Sequence, residues 1–584
     1  MLAEKGKKLK IKAQIVDYVI ICIAIISFWM LVNPKFPTND DYGLMSILAG
    51  YKSGTPIAVP FYCEYLYSFF ISGLYKITGQ IPWYIIVLMT LMIVNCLCLF
   101  YTIKKMVIAT PIKKYKGITY CLIFISLLLA FYCFNLVYIT YSIVPAVCGT
   151  SIILLILTTK NEDVPLTKNT ITGIIFVLFF FAWNIRRQTG YVVLVSVIFA
   201  IIFAYFSKNI SIKRCLFWAI GVIAIAILSV YVDWYSGTGN GWNEFTLFYD
   251  ACGQYTDYTH LTYEEAPELY QSLGWDENLY TLVNKWFFMD EKVDLNSFDI
   301  LNQSVDNQTF YGYSSRRALI AGMFGILKAS SLWIRFFLAL WFITVILVSI
   351  FKLSSNYDSY SELKDVFGTI IFMLIGYAFI AYLLMRGRFL DRAVYPVFFC
   401  TMIPSLVICL RIVLNISAKA RNRQNVINPK KIIVISHLFI FIVFIIAALG
   451  GVSTANWNKY NPESSNIKKK LEQYVIDNDE YFYISDVSLT MPGDPFTVYP
   501  DHKPTNYTFW GGTFLKSPLY YEQIKQYGFD SFSKSDFIKN NVRFISLAGP
   551  NDVFLDYMRE EYPDCRVEIT DQASGFIIYR YLEK

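Results

Sequence analysis

Two adjacent carboxylates, Asp40-Asp41, follow the first long apolar run within Phe36-Pro37-Thr38-Asn39-Asp40-Asp41-Tyr42. Neighbouring acids repel, and partial desolvation at a membrane boundary raises at least one of them, so one can act as a base near neutral pH. The plainer reading is a helix start, in which Asn or Asp ahead of Tyr42–Leu48 satisfies free amide groups. The residues alone leave both open. A second constellation is cationic: Arg186/Arg187, Arg316/Arg317 and Arg386/Arg388/Arg392 stand at the ends of apolar runs. Guanidinium forks match phosphate oxygens and keep their charge when partly desolvated. Snorkelling to head groups, or pairing with an acid such as Asp391, is the bland alternative. Glu64, in Phe61-Tyr62-Cys63-Glu64-Tyr65, and Asp233-Trp234-Tyr235 set acids beside aromatics that can stack on and hydrogen-bond a sugar. Glu64 is also placed to hold a cation or to bond tyrosines, and Trp234 to anchor at the interface.

The elements that must position these groups are membrane spans. Of 584 residues, 55% are hydrophobic and only 16% charged, against about 25% charged in ordinary soluble domains, which excludes a cytosolic enzyme and a disordered chain. A span needs about 20 mostly apolar residues. Candidates are Ala13–Val32, Trp83–Ile103, Gly117–Phe134, Val144–Leu157, Ile171–Ile185, Tyr191–Phe206, Cys215–Val232, Leu332–Phe351, Val366–Met385, Ala393–Leu410 and Ile432–Leu449. That makes about eleven transmembrane helices, with Pro60–Ile77 and Ala318–Leu327 as borderline segments. The first, preceded by five lysines from Lys5 to Lys12 and followed by no small-x-small site, reads as an uncleaved anchor.

Charge bias gives the orientation. Lysines and arginines crowd Lys104–Lys116, Lys208–Arg214 and Arg411–Lys431, so these ends and the N-terminus belong in the cytoplasm. Outside then lie loops 33–82 and 233–318, a turn near Asn135, Arg186–Gly190, Arg386–Arg392 and everything after Gly450. The domain expectation is a transmembrane body over 1–450 and an extracytoplasmic α/β domain over 451–584. In that tail Ile467–Ile476, Ser517–Tyr527, Ser535–Asn540 and Asp552–Glu561 read as helices and Tyr481–Ser485 and Val542–Leu547 as strands. Cys565–Thr570 with Gly575–Tyr581 reads as a hairpin. Tyr499-Pro500-Asp501-His502 and Asn506–Gly512 read as loops able to touch an acceptor, with no role for His502 itself.

A multi-span body, an acidic pair in the first outer loop and a soluble domain after the last span together resemble the C-type membrane glycosyltransferases, the GT-C superfamily. No particular family within it is identified. The resemblance implies a sugar donor on a polyprenyl phosphate or diphosphate, and an Asp or Glu of the first outer loop as catalytic base or acceptor-orienting group. By it Asp40 is the first choice for the base and Asp41 the second, in a direct displacement that inverts the anomeric centre. Arg386, Arg388, Arg392, Arg186 and Arg187 would bind the donor phosphate, and Glu64, Asp233 and Trp234 would contact substrate or a cation. Partners would be the bilayer, the lipid-linked donor and a glycan, lipid or cell-wall polymer acceptor, in a bacterial plasma membrane. The absence of a WWD-type motif argues against an oligosaccharyltransferase.

A divalent cation, Mg or Mn, is compatible with Asp40, Asp41 and Glu64, but the twelve cysteines and three histidines form no zinc pattern. Nine of the cysteines sit in apolar runs; Cys63, Cys252 and Cys565 do not. No phosphate loop, dinucleotide fingerprint or GxSxG elbow is present, and the small net charge of +7 belongs to topology rather than to nucleic acid. The rival classes are a flippase or transporter, which would carry ionisable groups inside its spans, and a polymerase of lipid-linked polysaccharide, which fits the globular tail less well.

Overall fold

Long apolar runs close their backbone hydrogen bonds internally, and so they form helices in lipid. The computed structural model describes residues 2–109, 116–258, 260–305, 360–385, 391–422, 462–512 and 514–583. Among them eight helices are long and apolar enough to cross a membrane: Ile15–Val32, Trp83–Ile108, Lys116–Val137, Thr167–Ile185, Arg187–Phe206, Ile212–Gly237, Lys364–Leu383 and Ala393–Ile412. These coincide with eight of the eleven expected spans, and the chain is a multi-pass helical membrane protein. The expected spans at Leu332–Phe351 and Ile432–Leu449, and the borderline Ala318–Leu327, lie outside the described residues. Pro60–Ile77 holds only a 13-residue helix, Tyr65–Ile77.

The remaining expected span, Val144–Thr158, has 15 residues and is buried from Val144 to Leu157, a rise of about 22 Å against the roughly 30 Å of a hydrocarbon core. It needs no lipid match because its neighbours are protein: helices Trp83–Ile108, Pro165–Ile185, Arg187–Phe206 and Asp391–Asn422 surround it. Gly149 makes this possible. A Cβ there would stand 2.5 Å from a Val193 methyl and 3.1 Å from the Cys400 sulfur.

Different bonds tie the two ends of the body. At one end Lys104 pairs with Asp17 at 2.5 Å, Lys105 with Asp163 at 2.5 Å and Arg411 with Asp365 at 2.5 Å. At the other, Lys35 pairs through its backbone with Val137 and Ile139, pinning the first outer loop to the 137–142 turn.

The C-terminal domain is a mixed five-stranded sheet in the order β2-β1-β3-β5-β4, with β1 Phe482–Ser485, β2 Tyr507–Phe509, β3 Val542–Ser546, β4 Arg566–Ala573 and β5 Phe576–Leu582. β1 runs parallel to β2 and β3, and the β4–β5 hairpin is antiparallel. The expected tail helices form as Pro462–Asp477, Pro518–Lys525, Lys534–Phe537 and Asp552–Arg559. Strand β2 lies in the stretch expected as a loop, 506–512, and is only three residues long. Outer segment 242–303 is no open loop either: it folds into helices Trp242–Asp257, Pro267–Ser272, Glu277–Asn284 and Leu295–Gln303. Its Phe287 packs against Trp510, Phe537, Phe554 and Tyr557 of the domain, and the Tyr557 hydroxyl donates to Asp290.

Candidate active site

The membrane body, the 242–303 helices and the C-terminal domain enclose a cavity of about 1130 Å³. Its body wall carries Asp40, Glu64, Tyr141, Arg186, Arg187, Asp233 and Trp234, and its domain wall Lys468, Glu472, Thr508, Phe509, Gly511 and Gly512. The acids and guanidinium groups singled out in the first outer loop and at Arg186-Arg187 therefore converge. Arg386, Arg388 and Arg316/Arg317 lie outside the described residues. Arg392 belongs to the helix Asp391–Asn422, and its side chain is likewise not among those described.

Asp40 and Asp41 occupy the first turn of the helix Asn39–Leu48, whose N-cap is Thr38. Acids there favour the positive end of the helix dipole, so the helix-start reading is right about position, although neither residue is the cap. Successive helical residues diverge by about 100°, and the pair splits accordingly. Asp40 is half-buried and lines the cavity, close to Tyr249, whose hydroxyl is pushed up by burial and, among lesser causes, by the Asp40 charge. Asp41 turns inward and is 0% exposed. Its Oδ1 accepts from the Tyr84 hydroxyl at 3.0 Å and the Tyr141 amide at 2.8 Å. Burial raises its carboxyl to about 7, against the lowering effect of those bonds and of Thr140.

The arginines divide in the same way. Arg187 is clamped: its Nη2 lies 2.5 Å from Glu64 Oε2 and 2.6 Å from Asp233 Oδ2. Asp233 also accepts the Tyr65 amide at 3.0 Å, so one guanidinium ties the start of the Tyr65–Ile77 helix to the end of the Ile212–Gly237 helix. Two acids share this single cation. Glu64, 4% exposed, is raised to about 7 by burial, against the bond from Arg187. Arg186 instead extends over the Tyr141 ring, 4.8 Å from its centroid, and donates to the Ser142 hydroxyl. It has no carboxylate partner among the described residues. Asp41 thus fixes the Tyr141 peptide, and the Tyr141 ring supports the Arg186 guanidinium at the cavity wall.

Trp234 lines the cavity but is 58% exposed, beside the exposed Tyr231 and Tyr235, as an interfacial aromatic would be. Glu64 and Asp233 are committed to Arg187, and no group of three His, Cys, Asp or Glu side chains converges on a metal position among the described residues. In the tail, Tyr499 donates to Glu472 at 2.8 Å. Asn506 is structural, its amide donating to the Val475, Asn478 and Tyr481 carbonyls. Sequence reasoning missed Lys52, Lys468 and Glu472, for which spacing gives no signal. It also missed Tyr141, which nothing in its apolar surroundings marks.

No family model matches the chain, and no curated protein does either. Among solved structures it is similar to ArnT from Cupriavidus metallidurans bound to undecaprenyl phosphate, with 12% identity, a TM-score of 0.41, and 97% of this chain and 98% of that one covered. The same protein in the apo state gives 11% identity and a TM-score of 0.40 over the same shares. Likeness of that size fixes no residue correspondence, and the chemistry has to come from this chain's own side chains.

Proposed function

We propose that this chain is a GT-C-type membrane glycosyltransferase. It moves a sugar from a polyprenyl-phosphate donor to an extracytoplasmic glycan, lipid or cell-wall polymer, in the plasma membrane with its N-terminus cytoplasmic. One observation carries the reading: a carboxylate, Asp40, and an arginine with no carboxylate partner among the described residues, Arg186, line one cavity where the spans meet the C-terminal domain. A lipid phosphate reaching that boundary meets a guanidinium whose charge is not yet spent.

Arg186 holds the donor phosphate. Asp40 takes the proton of the acceptor hydroxyl as its oxygen attacks the anomeric carbon. The bond from that carbon to the phosphate oxygen breaks, and the electron pair leaves with the polyprenyl phosphate, whose growing charge Arg186 stabilises. Attack opposite the leaving group inverts the anomeric centre. Asp41, enclosed and already bonded, positions Tyr141 rather than meeting the acceptor. The Glu64–Arg187–Asp233 cluster fixes the wall that carries Arg186.

The test is transfer from a labelled polyprenyl-phosphate sugar in reconstituted vesicles. Asp40→Asn is expected to lower transfer by roughly 10²–10⁴, the usual worth of a general base, while the melting temperature holds. Wild-type turnover in Asp40→Asn removes this mechanism. Movement of labelled donor across the bilayer with no transfer replaces the enzyme by a flippase.

A further inference from the structure

The cavity has a second cationic feature, on the wall where the C-terminal domain meets the segment after the Asn39–Leu48 helix. Lys52 follows the Asn39–Leu48 helix, and Lys468 sits on the domain helix Pro462–Asp477. Both ammonium groups rest on the same aromatic pair: Lys52 is 4.6 Å and Lys468 4.9 Å from the Tyr507 centroid, with Phe509 beside each. Lys52 has one hydrogen bond among the described residues, to the Tyr507 carbonyl at 3.0 Å. Lys468 is 5% exposed, and its one acidic neighbour among the described residues, Glu472 Oε1, stands 3.6 Å away. An ammonium has three donors, so both groups retain unused ones, and they line the cavity.

The single carboxylate cannot satisfy both. Glu472 Oε2 already accepts the Tyr42 hydroxyl at 2.5 Å and the Tyr499 hydroxyl at 2.8 Å, so with both lysines protonated the trio carries more positive than negative charge. Burial, followed by the charge of Lys468, holds Lys52 down to about 7. A buried cation with open donors in a polar cavity lacks an anion.

We propose that Lys52 and Lys468 seat a phosphate group of the acceptor, carried by a phosphate-bearing polymer or by a lipid headgroup. Arg186 adjoins a span, where a lipid-linked donor enters; the lysines belong to the soluble side, where a second substrate would be received. The word acceptor rests on the transferase reading, but the seat does not: phosphate bound at the lysines without any transfer would keep the seat and sink the transferase.

The experiment is a binding titration of the full chain in nanodiscs with sn-glycerol 3-phosphate, in an Arg186→Gln background that removes the other candidate phosphate position. Saturable binding is expected, weakened roughly tenfold or more by Lys52→Gln or Lys468→Gln, the scale of a lost charged hydrogen bond. Lys468→Arg keeps the charge and retains binding. Glu472→Gln, which can still accept from both tyrosines but no longer competes for the lysines, tightens binding several-fold, an effect a purely structural role would not give. Discs of phosphatidylglycerol and of phosphatidylcholine separate the sources: competition from the anionic lipid assigns the seat to a headgroup, and equal affinity in both assigns it to a polymer. No saturable binding in the Arg186→Gln background, or unchanged affinity in both lysine variants, overturns the proposal.

Discussion

Arg186 and Arg187 are adjacent, of one type, and predicted to behave oppositely when each is changed to Gln. In Arg187→Gln the cation between Glu64 and Asp233 disappears. At contacts of 2.5 and 2.6 Å, each attraction is about 6 kcal/mol gross for an effective dielectric of about 20. Most of it is offset by desolvation; removing one partner of a buried pair costs about 3–5 kcal/mol. The guanidinium is 31% exposed while the carboxylates are 5% and 17% exposed, so the low end, about 3 kcal/mol, is expected.

A thermal-shift series on purified protein should show a melting point lower by several degrees. Arg187→Gln/Glu64→Gln should regain half or more of the loss, because the uncompensated acid is gone. The deficit should also shrink between pH 8 and pH 5, as Glu64, raised to about 7 by burial, takes up a proton. Arg186→Gln loses only a ring contact and a hydroxyl bond, about 1 kcal/mol, yet should weaken polyprenyl-phosphate binding roughly ten- to a hundredfold. The reasoning fails if Arg187→Gln melts with wild type, or if Arg186→Gln keeps full donor affinity while Arg187→Gln loses it.

Asp41 should mark the stability profile with pH. Its native carboxyl sits near 7 and its unfolded one near about 3.9, so the native state holds a proton that the unfolded chain releases. Wild-type stability should therefore fall between those values, by up to about 4 kcal/mol, and Asp41→Asn should flatten that part of the curve; equal slopes in the two proteins contradict the assignment. Gly493→Ala should loosen the domain from the body, because the added Cβ would lie 2.2 Å from the Tyr42 ring. Faster protease cleavage of the 487–500 segment would register it, and wild-type resistance would argue against that contact.

How far the sequence reaches is visible at particular residues. Long apolar runs announce spans, and they do so even where, as at Val144–Thr158, the surroundings are other helices. Composition reports that a segment avoids water and is silent on whether lipid or protein replaces it. The run Trp286-Phe287-Phe288-Met289 gave no sign of belonging to the C-terminal domain's core, since four apolar residues define no period. In the site, residue type pointed to Asp40, Asp41, Arg186 and Arg187 together. What separates cavity-facing from inward members is one step of helical rotation at Asp40-Asp41 and the neighbours at Arg186-Arg187, neither of which type encodes. Lys52 and Lys468 meet only because the domain folds back on the first outer loop.

That fold-back has a consequence for biosynthesis. The Tyr42–Glu472 contact joins groups 430 positions apart, and at about 5–20 residues per second the ribosome takes on the order of half a minute to supply the second after the first. Throughout that interval the acidic helix follows an already synthesised first span with its roof unmade. The cavity closes only after the last polar portion has been made and folded, so a nascent chain stalled before that point would sit in the membrane without its chamber.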